Sequence, residues 1–230
     1  MPGRVELLPD LITRVVIPSR RPVHDVFLEV PKPPAGLATR EFVLCVQSDM
    51  GTLDRSALAA RVLGLLRAWE VPPDRLAVVE GIPRGDRMVY DLLEPELRGA
   101  EFVPFRDIWR HGVPVAAGQT WISTRFHLHL LASAAGASGV AMSVSQDYYA
   151  VKHRSLLDLG SNWTMLDAAG NDVPDRPDSG GFTSAALRAC QDAKLAVAEK
   201  IYRRDPPQAS AVTGNRAARY RRLAGWFRID

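Results

Sequence analysis

Cysteine is scarce in this chain of 230 residues, and its scarcity excludes a disulfide-stabilised domain. The two cysteines, Cys45 and Cys190, lie far apart in sequence and lack the spacing of a zinc site. We expect both to be buried thiols. The sequence also contains neither a G-x-G-x-x-G fingerprint nor a P-loop. Their absence disfavours binding of dinucleotides and of P-loop nucleotides.

Long apolar runs are missing as well. No run reaches the roughly 20 residues that cross a bilayer, because Arg125, His127 and His129 interrupt the best candidate. The first ten residues contain acids and prolines where a signal peptide would carry its apolar region. We therefore expect a cytoplasmic protein.

The excess of positive charge is small and unevenly distributed. The chain has 29 basic and 26 acidic residues, of which eight basic and two acidic residues lie between Lys200 and Asp230. The remainder is therefore mildly acidic, and only the tail is basic. This distribution does not favour binding of nucleic acid by the main domain.

What the chain does contain is a regular alternation of strand and helix patterns from residue 41 onward. Five short apolar runs predict strands: FVLCVQ, RLAVVEG, EFVPF, TWIST and SGVAMSV. A helical pattern follows each of them, and the first helix has Asp54 as its expected N-cap. The alternation predicts an α/β domain over residues 41–167, a Rossmann-like parallel sheet with helices on both faces.

Two flanking segments complete the predicted organisation. Residues 1–40 read as an N-terminal segment with a proline-rich linker, and residues 168–230 as a helical basic tail. Three interpretations stay open for the basic helix predicted near the C-terminus. It is a solvated face, it packs back onto another part of the protein, or it contacts anionic membrane lipid through Trp226 and Phe227.

In open α/β sheets, ligands bind beyond the carboxyl ends of the strands. The most distinctive of these ends is the TWIST strand, where Arg125 leaves the strand and His127 falls in the first turn of the next helix. A guanidinium beside a helix N-terminus favours a phosphate or a carboxylate. The alternative is that loop carbonyls accept hydrogen bonds from both side chains.

His129 is expected to have a different role. Residues two apart on a helix point in nearly opposite directions, so His127 and His129 cannot share a metal ion. We predict no metal site, and we expect His129 to be packed or half-exposed.

The sequence from Trp121 to Gly160 resembles the polysaccharide pyruvyl transferase family. The resemblance rests on WISTRFHLHLLASAAG, an apolar strand, and then QDYYAVKHRSLLDLG. In that family an R-[apolar]-H motif ends a strand, and a Y-x-x-K-like segment follows the next one. The similar region covers about residues 40–167, and either Tyr148 or Tyr149 can match the tyrosine.

The resemblance implies the C-terminal half of a glycosyltransferase-B-like enzyme, which moves a pyruvyl group from phosphoenolpyruvate to a pair of sugar hydroxyls in surface polysaccharide synthesis. Arg125 and Lys152 would bind the donor, and His127 would protonate its methylene carbon. The donor is a substrate, so no cofactor is implied. The acceptor would be a glycan or a lipid-linked sugar, and the enzyme would work in the cytoplasm or at the inner face of the membrane.

The N-terminal half of such an enzyme has no counterpart in this sequence. The resemblance therefore implies that a partner chain supplies that half or that it is missing. Two rival functions stay open. One is a nucleotide-sugar glycosyltransferase of similar architecture, and the other is a non-catalytic half-domain that needs a partner chain.

Overall fold

The computed structural model describes residues 4–5, 15–16, 40–49 and 53–202. Its main feature is a six-stranded sheet in which every neighbouring pair of strands is parallel. The strands are β3 (Phe42–Cys45), β4 (Leu76–Val79), β5 (Glu101–Val103), β6 (Thr120–Ser123), β7 (Ser138–Ser143) and β8 (Thr164–Asp167). A separate two-stranded antiparallel pair joins β1 (Arg4–Val5) to β2 (Val15–Val16).

Helices connect the strands and cover both faces of the sheet. They are α1 (Arg55–Ala68), α2 (Arg87–Leu93), α3 (Phe105–His111), α4 (Phe126–Ala134), α5 (Tyr149–Asp158) and α6 (Ser184–Tyr202), and one 3₁₀ turn spans Pro73–Arg75. The order of strands is β5-β4-β3-β6-β7-β8. The chain thus moves outward from β3 in one direction, then returns to β6 and moves in the other. This is the Rossmann arrangement, and the predicted α/β sheet is confirmed.

Two apolar layers hold the helices against the sheet. Along β3, Phe42 and Leu44 enter the layer formed with α1 and α2, whereas Val43 and Cys45 enter the layer formed with α3 and α4. All four residues of β3 are buried, as a strand covered on both faces requires. The continuous apolar runs in the sequence therefore indicate strands that are buried on both faces of the sheet.

The sixth strand corrects the sequence prediction, which gave the sheet five strands and began a loop after Leu166. β8 pairs in parallel with β7 at the edge of the sheet. Its four residues include only one buried position, Leu166. A half-exposed edge strand of this length carries no continuous apolar run, so the sequence pattern did not predict it.

Helix ends differ from the expected ones where proline intervenes. The pattern DRMVYDLLEPEL predicts a helix from Asp86 to Leu97, but α2 stops at Leu93. Glu94 keeps helical backbone, and Pro95, which has no N–H, cannot supply the next hydrogen bond of the helix. The expected N-cap of α1 is confirmed, since the carboxylate of Asp54 accepts a hydrogen bond from the N–H of Ala57 at 2.8 Å.

The packed domain continues past residue 167, where the sequence predicted its end. Phe182 lies in the second apolar layer and pairs with Ser161. The indole N–H of Trp69 donates to the carbonyl of Pro174 at 2.9 Å. Residues 172–182 therefore hold the start of α6 close to the sheet. α6 confirms that part of the predicted tail is helical.

Several predictions concern residues outside the described ranges. They include most of the N-terminal segment and proline-rich linker, and the last basic helix with Trp226 and Phe227. No helix within the described residues combines the length and the apolar character needed to cross a bilayer. Cys45 is buried as predicted, Cys190 is only partly buried, and neither forms a disulfide.

Candidate functional site

The candidate site lies at the carboxyl edge of the sheet, where the chain direction reverses between β3 and β6. Three segments converge there: residues 46–49 after β3, 80–86 after β4, and 124–126 after β6. The hydrogen bond from the N–H of Gln47 to the hydroxyl of Thr124 measures 2.8 Å and joins the first segment to the third. Ligands bind at this position in folds of this kind.

Arg125 is the centre of the site, and two carboxylates hold its guanidinium. Its Nη2 binds Oδ1 of Asp86, its Nε lies 3.3 Å from Oδ2 of the same residue, and Nη2 lies 2.9 Å from Oδ1 of Asp49. The Arg125 side chain is 12% exposed, Asp86 is 2% exposed and Asp49 is 50% exposed. The sequence predicted that Arg125 binds an anion, and the structure shows carboxylates of the protein itself in contact with it.

Asp86 shapes the loop after β4 around its carboxylate. Its Oδ2 accepts hydrogen bonds from the N–H groups of Gly81 at 2.9 Å and Ile82 at 3.0 Å. Burial raises the pKa of Asp86, and the guanidinium of Arg125 opposes that rise. Burial and the neighbouring Asp86 raise the pKa of the Cys45 thiol well above its usual range. Cys45 is therefore a packed thiol and not a nucleophile.

Glu80 supports the same loop from its other side. One carboxylate oxygen accepts from the N–H of Arg84 at 2.7 Å, and the other accepts from the N–H of Phe105 at 2.8 Å. Arg84 has a φ of 65°, in the left-handed region that few residues other than glycine adopt. One buried carboxylate thus fixes the tip of the loop and the start of α3 together.

Gln47 adds a hydrogen-bond acceptor beside these ion pairs. Its Nε2 donates to the carbonyl of Asp49 at 2.8 Å, and the residue is only 1% exposed. Its Oε1 is buried and finds no hydrogen-bond partner among the described residues. A buried acceptor without a donor is costly, so a ligand hydroxyl that donated to it would be favoured.

His127 lies where the sequence placed it, in the first turn of α4, and it is exposed. Its ring packs edge-on against the ring of Phe126, with centroids 5.2 Å apart and planes at 72°. The helix dipole favours an anion at this end of α4. His127 is thus accessible to a ligand at the carboxyl edge.

Lys152 lies in the first turn of α5, on the far side of Phe126. Its Nζ donates to the hydroxyl of Tyr148 at 2.7 Å and lies 4.1 Å from the centre of that ring. The same Nζ is 5.9 Å from the ring centre of Phe126. His127 and Lys152 therefore share Phe126 as a neighbour, whereas Arg125 turns toward Asp86 and Asp49. Tyr148 is the tyrosine that partners the lysine.

Two buried histidines complete the surroundings of the site. His129 was expected to be packed or half-exposed, and it is fully buried; His153, which the sequence analysis did not single out, is also fully buried. Their Nδ1 atoms are 3.1 Å apart. The sequence could not reveal this pair, because the two residues are 24 positions apart on different helices.

A polar cavity of about 420 Å³ lies at the opposite, amino edge of the sheet. Its lining includes the first residues of β6 and β7, Thr120 and Ser138, together with Arg176. The strand direction places this cavity away from Arg125 and His127. Ligand chemistry at the carboxyl edge therefore does not involve it.

Within the described ranges, no group of three or more histidine, cysteine or acidic side chains is arranged to hold a metal ion. Comparison with known proteins adds no assignment: no family model, no curated protein and no solved structure matches the chain significantly. The function must therefore be argued from the residues and their geometry.

Proposed function

We propose that the chain is a phosphoenolpyruvate-dependent pyruvyl transferase that forms a ketal on a sugar acceptor during surface polysaccharide synthesis in the cytoplasm. The observation that carries the proposal is the position of the RFH motif. Its histidine is exposed in the first turn of α4, at the edge of the sheet where ligands bind in this fold. The resemblance described above supplies the reaction.

The donor carries two or three negative charges near neutral pH, and the site offers several groups that suit it. Lys152 and the N-terminus of α4 provide positive potential beside Phe126. Arg125 would bind the carboxylate of phosphoenolpyruvate in place of the carboxylate of Asp49. Asp49 is the exchangeable partner because it is half-exposed, whereas Asp86 is buried and bound to two peptide N–H groups.

His127 is the proposed general acid. Protonation of the methylene carbon of the donor converts the enol into an oxocarbenium-like centre at the adjacent carbon. One sugar hydroxyl attacks that carbon, and a second closes the ketal as phosphate leaves. Imidazole is the side chain most often used as a general acid or base in enzymes, and it can donate the proton that this step requires.

Replacing His127 by alanine is expected to lower the release of phosphate from phosphoenolpyruvate about 10²–10⁴-fold, the usual contribution of a positioned general acid. The measurement is phosphate release in the presence of a panel of glycosides and lipid-linked sugars. His111→Ala is the matched control, since His111 is also exposed but lies on α3. Equal turnover by His127→Ala and wild type would exclude the assigned role.

Thermal stabilisation by ligands, together with turnover, separates the rival functions. Thermal stabilisation by a nucleoside diphosphate, without stabilisation by phosphoenolpyruvate, would favour a nucleotide-sugar glycosyltransferase. Binding of phosphoenolpyruvate without turnover, until a partner chain is added, would favour a half-domain that needs that chain.

Asp49→Asn is expected to tighten binding of phosphoenolpyruvate about 1.4- to fivefold, because exposed ion pairs typically contribute about 0.2–1 kcal/mol. The substitution removes the carboxylate that competes with the donor for Arg125. Titration calorimetry at low salt measures the change. Asp91→Asn is the control, because Asp91 pairs with Arg87 on the surface of α2. Unchanged or weaker binding by Asp49→Asn would contradict the proposed exchange.

A further inference from the structure

The buried histidine pair forms the middle of a hydrogen-bond chain that ends at the candidate site. His129 on α4 and His153 on α5 are joined through their Nδ1 atoms at 3.1 Å. The ring of His129 also stacks on Trp163, with centroids 4.4 Å apart. The orientation of both rings is thus fixed, and each remaining ring nitrogen has a defined partner.

Those partners determine where the protons lie. Nε2 of His153 faces the carbonyl oxygen of Thr124 at 3.3 Å, and a carbonyl can only accept. His153 therefore carries its proton on Nε2, and its Nδ1 is an acceptor when the ring is neutral. Nδ1 of His129 must then be the donor to His153. The two neutral imidazoles consequently have opposite tautomers.

Two serines continue the chain in the same direction. Nε2 of His129 is an acceptor in this tautomer, so the hydroxyl of Ser161, 3.0 Å away, donates to it. The hydroxyl of Ser133, 2.9 Å from that of Ser161, donates to Ser161 in turn. The hydrogen bond between the two rings forms only while His153 is uncharged, because protonation of its Nδ1 would place two N–H donors against each other.

The chain ends on the residue that precedes Arg125. The N–H of Thr124 donates to the carbonyl of Cys45 at 3.0 Å, and its hydroxyl accepts from Gln47. The carbonyl of Thr124 accepts the hydrogen bond from Nε2 of His153. Thr124 is thus held from β3 on one side and from α5 on the other, immediately before the arginine of the site.

We propose that His153 is a positioning residue for the Thr124–Arg125 turn, and that His129 maintains the tautomer in which His153 can do so. The effect of His153 on the binding of phosphoenolpyruvate rests on the proposed function, whereas its effect on the Thr124–Arg125 turn does not. Burial lowers the pKa of both histidines. The neighbouring His153 also lowers the pKa of His129, and Lys152 lowers that of His153, whereas the hydrogen bond from His153 to the Thr124 carbonyl raises it without reversing the effect of burial. The turn is therefore held throughout the neutral range.

The first test observes the wild-type protein directly. Two-bond ¹H–¹⁵N correlation spectra at pH 7.5 report which ring nitrogen of each histidine carries the proton. We expect a proton on Nε2 of His153 and on Nδ1 of His129. The opposite assignment, or a charged ring at His153, would overturn the proposal.

The second test compares two replacements of His153. His153→Gln retains an N–H donor for the Thr124 carbonyl, whereas His153→Phe fills a similar volume without one. We expect the Nε–H resonance of Arg125 to shift in His153→Phe and to stay near its wild-type position in His153→Gln. We also expect phosphoenolpyruvate to bind at least tenfold more weakly to the phenylalanine variant only.

Two outcomes separate this inference from the proposed function. If wild type does not bind phosphoenolpyruvate, the proposed function fails, and the Arg125 resonance still decides whether His153 positions the turn. Equal Arg125 resonances in the two variants, both confirmed as folded by circular dichroism, would overturn the positioning role. His111→Gln serves as the surface control for both measurements.

Discussion

Acidification from pH 7.5 to pH 5 is expected to lower the free energy of unfolding by about 4 kcal/mol through the two buried histidines. Burial lowers the pKa of His129 to about 2 and that of His153 to about 4. In the unfolded chain both titrate near 6.5. Between these values the unfolded state binds more protons, so stability falls as the pH falls. Each histidine contributes about 2 kcal/mol of that loss at pH 5.

The loss begins near pH 6.5 and stops growing for His153 below about pH 4, where the folded state also takes up its proton. Urea denaturation at pH 7.5, 6.5 and 5.0 measures it. In His153→Gln the loss is expected to be about half as large. His127→Asn and His111→Gln, which replace exposed histidines, are the surface controls. A free energy of unfolding that is the same at pH 7.5 and pH 5 would contradict this account.

Asp86→Ala is expected to destabilise the domain by about 3–5 kcal/mol, the usual cost of removing one partner from a buried ion pair. Among the described residues, the guanidinium of Arg125, 12% exposed, would keep as its carboxylate partner only Asp49, which is half-exposed. The N–H groups of Gly81 and Ile82 would also lose their acceptor. Urea denaturation at pH 7.5 gives the value directly.

Asp49→Ala is the matched control for this substitution. It removes a carboxylate from the same guanidinium, but that carboxylate is 50% exposed, so the expected loss is below about 1 kcal/mol. Similar losses for the two variants would show that burial does not distinguish the two ion pairs. Asp86→Asn is expected to fall between them, since its amide oxygen can still accept from the loop.

The sheet was largely predictable from the sequence because burial on two faces leaves a direct pattern. β3, β4, β6 and β7 are continuous apolar runs with helical patterns between them, and right-handed crossovers then require a parallel sheet. β5 was found by its position in the alternation. β8 was not predicted because it lies at the edge of the sheet and buries only one side chain, that of Leu166. A single apolar residue gives no periodicity from which a strand can be predicted.

The candidate site was only partly predictable, and the reason is distance along the chain. Arg125 and His127 were found because they adjoin one strand. The partners of Arg125 lie 39 and 76 positions away, on loops that reach it only after the sheet has formed. Periodicity describes neighbours within an element, so it cannot show which carboxylate meets which guanidinium. The tautomers of the histidine pair depend on a backbone carbonyl and are invisible in sequence for the same reason.

The carboxylate of Glu80 has a practical consequence for protein engineering. It accepts hydrogen bonds from the peptide N–H groups of Arg84 and Phe105, which any residue other than proline also has. Position 84 can therefore be varied while the loop keeps its shape, with glycine and asparagine the best tolerated because of its positive φ. The rim of the sheet is thus a natural place to introduce new binding specificities on this scaffold.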